Sequence, residues 1–189
     1  MLLPKLFNIT HYNTVVESGF PSLQPGEAGA VMQGLDLQRR VTKDFALEVM
    51  YQGSGYLDLG IGGDYNGYVS WTSGETLDAA LYRRTGCAET YTGSCATELK
   101  TGATSKFKND REATGLAIWG ENPDGGYGTA VYIEDAGIGT NGLQIIVNDI
   151  GSEVGKYQID VYAGLRGGVS DQSFVDSPGS RVWRMERIE

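Results

Sequence analysis

The chain has 189 residues, with 28 glycines and 24 acidic residues against 15 Lys and Arg, for a net charge of −9. That balance argues against a nucleic-acid binder, whose affinity comes from neutralising phosphates, and no apolar run reaches the roughly 18–20 residues of a helical membrane span. The length is enough for one ordinary domain with a real core, and glycines clustered at turns without a strict period exclude a collagen-like repeat.

The start, Met1 to Phe7, lacks the basic leader and the apolar stretch of a signal peptide. Residues 1–30 read as an extended N-terminal arm. Pro4, Pro21 and Pro25 interrupt any sustained period. Leu3, Leu6, Phe7, Val15, Val16 and Phe20 make the arm too apolar for a free linker, so it is expected to pack on its own domain or on a neighbouring subunit.

Residues 31–189 are expected to form a single β-domain. Phe45, Leu47, Val49 and Tyr51 alternate with polar neighbours as in a half-buried strand. Short strands follow at Tyr56–Ile61 and Tyr68–Trp71 around a glycine-rich turn. Glu75–Arg84 fits a short helix and a strand equally well. Residues 86–110, rich in Thr, Ser, Gly and Lys, read as a flexible excursion. Five alternating runs then occupy 113–119, 127–134, 143–149, 156–163 and 181–188. In the fourth, Tyr157, Ile159, Val161 and Ala163 face inward, and Gln158 and Asp160 outward.

About nine or ten strands with at most one short helix imply an all-β fold, an antiparallel β-sandwich or jelly-roll, with a closed barrel ranked behind them.

Motifs for chemistry are sparse. Gly137–Gly142 matches GxGxxG, yet a β-rich run follows where the dinucleotide fingerprint needs a helix, so a hairpin loop is the better reading. No residue set is assigned to a metal, and no cofactor is expected. A calcium loop at Asp64–Glu75 fails at its glycine position. His11 is the single histidine and no GxSxG surrounds any serine, which leaves no nucleophilic triad. Cys87 and Cys95 suit either a small disulfide loop or two free thiols, and without a secretion signal free thiols are favoured. Acids such as Glu121, Asp124, Glu134 and Asp135 lie near turns where a carboxylate-pair glycosidase would need two of them to converge. Tyr65 and Tyr127 follow glycine pairs and are the candidate ligand-loop aromatics.

The apolar arm 1–30, the Thr/Gly/Ser excursion 86–110 and the strand-rich remainder closed by Val182-Trp183-Arg184-Met185 together resemble small virion structural proteins of tailed bacteriophages, capsid decoration or cement proteins and tail components. The resemblance implies no enzyme, no catalytic residues and no cofactor. Its partners would be other structural protein subunits, in a homo-oligomer within the virion or, during assembly, the host cytoplasm. Its contacts would be Leu3, Leu6, Phe7, Val15, Val16 and Phe20, with Arg39, Arg40 and Arg184 as charge partners. The alternative is an extracellular or cell-surface carbohydrate-binding or adhesin-like β-sandwich, Ca-dependent or not, with a glycan partner met by Tyr65 and Tyr127.

Overall fold

The computed structural model describes residues 3–35, 39–60, 65–121, 128–139, 141–166 and 175–185. In chain order the strands are β1 (Lys5–Val16), β2 (Ala30–Val31), β3 (Arg40–Val41), β4 (Ser54–Leu57), β5 (Gly67–Ser73), β6 (Leu81–Arg84), β7 (Thr101–Ser105), β8 (Thr129–Asp135), β9 (Asn141–Gly151), β10 (Gln158–Arg166) and β11 (Ser177–Arg184). The helices are α1 (Lys43–Gln52) and α2 (Lys108–Thr114). The chain divides into two compact units, one of Met1–Tyr12, Thr90–Gly164 and Gln172–Glu189, the other of Asn13–Glu89 and Leu165–Asp171.

In the first unit, hydrogen-bonded neighbours run β10-β7-β9-β8-β11-β1, and β1 pairs back onto β10. Six strands therefore close into a barrel. The barrel is mixed, because β7 and β9 are parallel while β8–β9, β8–β11, β1–β11 and β7–β10 are antiparallel. The chain is mainly β, as its alternation implies, but the antiparallel sandwich or jelly-roll is corrected to this closed barrel. Alternation only says that each strand has one dry face. Closure is decided by pairings between strands far apart in sequence, which also leave those strands no open edge.

The barrel interior is filled by Ile9, Val131, Ile133, Val147, Ile159 and Val161, among others. Each such side chain contributes about 1.5–3 kcal/mol by leaving water. Gly102 admits this packing, since a Cβ there would stand 2.6 Å from Ile145 Cδ1 and 3.3 Å from Ile159 Cγ2.

In the second unit β4, β5 and β6 form an antiparallel meander, and the end of β1 runs parallel to β4 through Val15↔Gly55. Residues 43–52, expected to be a strand, are instead α1. The Thr42 hydroxyl caps its start by accepting from Phe45 N at 3.4 Å, and Gly53 ends it in the left-handed region at φ 81°. Phe45, Ala46 and Val49 are buried, a stripe one helical turn long, while Tyr51 of the supposed strand face is 74% exposed. The first of the five expected runs, 113–119, overlaps the end of α2, so the described residues hold two α-helices where at most one short helix was expected. β7 lies inside the expected excursion with every residue buried. Cys87 and Cys95 are disulfide-bonded, which corrects the preference for free thiols.

Candidate active site

The chemistry-bearing groups of the first unit gather on the outer face of its barrel, around β7. Ile145 and Val147 of β9 belong to the core, and strict alternation would send Asp149 inward after them. The β7–β9 register shifts there: Gly102 pairs with Val147, but Ala103 pairs with Asp149. Asn148 is thus the extra residue of a β-bulge, and Asp149 emerges on the face away from the core. Across β7, Gly102 pairs with Val161 and Ala103 with Asp160. Asp149 and Asp160 consequently share a face and a level, two strand spacings or about 10 Å apart at Cα.

β1 completes the face. Phe7 and Ile9 are core, which puts Thr10 and Tyr12 outside. The Tyr12 hydroxyl donates to Asp149 Oδ2 at 2.9 Å, and its ring lies 5.2 Å from that of Tyr162. Thr10 bonds the Asp160 carboxyl and accepts from Gln158 Nε2 at 2.8 Å.

The two carboxyl groups have different surroundings. Asp149 accepts from Tyr12, from the Tyr91 amide at 2.7 Å and from the Ile150 amide at 2.9 Å. Burial pushes its pKa up, and these three donors oppose the rise by favouring the anion. Asp160 has the Thr10 hydroxyl as its one side-chain donor, whereas its Oδ1 is shut off from solvent with no hydrogen-bond partner. Burial, with the charges of Asp176 and Asp149 behind it, pushes Asp160 up to about 6. A carboxyl oxygen stripped of both water and donors is best accommodated as the neutral acid. Tyr12 stays a phenol far above neutral pH, through burial first and the Asp149 charge second. Both carboxyl groups are thus pushed up by burial, but Asp149 has three donors that favour its anion and Asp160 has an oxygen with none.

The residues singled out from sequence fall elsewhere. Leu3 and Leu6 are exposed, Phe7 and Val15 are core, and Val16 is half-buried. Phe20 packs edge-on against Phe45, with centroids 5.5 Å apart. Arg39 is buried in an ion pair with Glu17 and donates to Tyr65 O at 2.6 Å, so it holds its own unit together and is not free for a neighbour. Arg40 and Arg184 are exposed. Tyr65 is half-buried, its hydroxyl on Tyr68 O at 2.9 Å, which leaves it poorly placed as an open ligand platform. Tyr127 and Asp124 lie outside the described residues. Glu121 is engaged by Arg111 at 3.0 Å, and Asp135 accepts from Ser177 at 2.8 Å. β8 and β9 pair antiparallel across the GxGxxG segment, closing through Asp135↔Asn141, as a hairpin reading requires. Among the described residues no group of three or more His, Cys, Asp or Glu could hold a metal. The acid pair was missed because neither aspartate carries a motif; the available signal was an acid embedded among β-branched strand residues, as in Ile159-Asp160-Val161.

No protein-family model matches the sequence, and no curated protein matches it. Solved structures do share the fold. Escherichia coli MltA with bound chitohexaose superposes with a TM-score of 0.59 at 13% identity, covering 95% of this chain and 71% of that one. An aspartate-to-alanine variant of E. coli MltA, described as a lytic transglycosylase, gives 0.51 at 15% identity over 96% and 72%. The membrane-bound lytic murein transglycosylase of Agrobacterium tumefaciens gives 0.55 at 9% identity over 96% and 74%.

These neighbours overturn the resemblance to phage virion proteins: the fold is one found in lytic transglycosylases. They also correct the reading of a non-enzyme acting through other structural subunits, since the neighbours are enzymes and one holds a glycan. A virion location finds no support among these neighbours, one of which is named as membrane-bound.

Proposed function

We propose that the chain is a glycan-cleaving enzyme of the lytic transglycosylase type, acting on murein-like strands at the cell envelope. The observation that carries this reading is the Asp160 carboxyl, with one oxygen orphaned and its pKa near 6, set beside the donor-rich Asp149. A pair of carboxyl groups with unlike surroundings, one rich in donors and one with an orphaned oxygen, is the kind of equipment that glycosidic cleavage uses.

Asp160 acts as the general acid. Its proton passes to the glycosidic oxygen as the C1–O bond breaks, and the leaving sugar departs as an alcohol. Positive charge builds on the ring carbon and oxygen, and the Asp149 carboxylate stabilises it. Asp160, now a carboxylate, takes the proton of the hydroxyl that attacks C1, which restores the acid. Thr10 and Tyr12 position the two carboxyl groups without entering the bond changes.

The test is incubation of the purified protein with insoluble murein. Release of soluble glycan fragments is expected. A protein that releases none and does not bind chitohexaose contradicts the proposal.

A further inference from the structure

We propose that Tyr91 forms a sugar-contacting subsite beside the acid pair, its ring stacking on the apolar face of a hexopyranose in the bound strand. This deepens the glycan-cleaving reading and rests on it. Tyr91 joins two properties seldom found together. Its backbone is fixed to the site, the amide donating to Asp149 at 2.7 Å, yet its side chain is 63% exposed.

The loop that carries it is locked. Thr90 N bonds Ser94 O at 2.8 Å and Gly93 N bonds Thr90 O at 2.9 Å, and the Thr90 and Ser94 hydroxyls meet at 2.9 Å. Asn148, the extra residue of the β9 bulge, donates to Ser94 Oγ at 3.1 Å. The same bulge thus turns Asp149 outward and anchors the loop bearing the aromatic ring.

An exposed ring on a loose loop would lose much of its contact energy to ordering. Here the backbone is ordered before any ligand arrives, so stacking delivers more of its energy as affinity. An apolar ring face thus stands on the same residue whose amide holds the Asp149 carboxyl. A pyranose has matching chemistry, with C–H groups on its face and hydroxyls around its rim.

The experiment measures chitohexaose binding by calorimetry to Asp160→Asn, which removes turnover, alone and combined with Tyr91→Ala, Tyr91→Leu or Tyr91→Trp. About tenfold weaker binding is expected for Ala and Leu, with Trp close to the Asp160→Asn parent. The main-chain amide survives every substitution, so melting temperatures should stay together. Equal affinity for Tyr91→Leu and the parent overturns the subsite while leaving the glycan reading intact. Failure of the wild-type chain to bind chitohexaose overturns both.

Discussion

Asp149 and Asp160 both stand in register with Ala103, one on each side of β7. The alignment exists only because β9 gains one residue at Asn148; without it Asp149 would follow Ile145 and Val147 into the core. An ionisable group forced inward there would lose its three donors and meet only aliphatic carbon. The bulge therefore separates two jobs of one strand, filling the barrel and arming its outer face.

The donors on Asp149 should matter to catalysis more than to folding. Tyr12→Phe removes one of three and leaves the ring packed on Tyr162. We expect the acidic limb of the pH–rate profile to move upward, with kcat about 10-fold lower at neutral pH, a size fitting a charged hydrogen bond worth about 1.5–3 kcal/mol. Steady-state rates across pH check this. An unchanged acidic limb would remove Asp149 from the account.

The protonation of Asp160 sets the other limb. A general acid works in its protonated form, so activity should fall as pH rises through about 6. The profile should be bell-shaped, with Asp149 ionisation on the acidic side. A rate that keeps rising above pH 7 would contradict the assignment.

Asp160 should also cost stability. Its folded pKa of about 6 lies above the unfolded carboxylate value of about 3.9. Between those values the folded protein holds more protons, so stability falls as pH rises from about 4 to about 6 and then levels off. Asp160→Asn removes this dependence. We expect the variant to be more stable by about 2–3 kcal/mol at pH 8, and near wild type at pH 4. Chemical denaturation at the two pH values reads the difference directly.

Much of this was legible from sequence, and the reasons for the rest are local. The runs around Ile133, Ile145, Ile159 and Val182 announce half-buried strands, and all of them are. Phe45, Leu47, Val49 and Tyr51 satisfy a period of two as well as part of a helical stripe, and only the Thr42 and Gly53 caps break the tie in favour of α1. The acid pair lies deeper. Its members are eleven residues apart in sequence, on strands that never touch, and the strand between them comes from Thr101–Ser105. No pattern within a window encodes a bulge plus a non-sequential neighbour.

The disulfide should stabilise the segment leading to Tyr91. Joining Cys87 and Cys95 closes a loop of about nine residues, for which chain entropy gives roughly 2–3 kcal/mol. The Cys87→Ser/Cys95→Ser variant should show that loss in denaturant unfolding, together with a higher KM for glycan. A double variant matching wild type in both would show that the hydrogen bonds of Thr90, Ser94 and Asn148 suffice on their own.

The measurement closest to the central claim is murein cleavage by Asp160→Asn at pH 5–6, with chitohexaose binding followed on the same sample. The acid assignment expects a fall of about 10²–10⁴-fold in kcat, with affinity for the glycan retained and the fold intact. A variant that cleaves at the wild-type rate would contradict it.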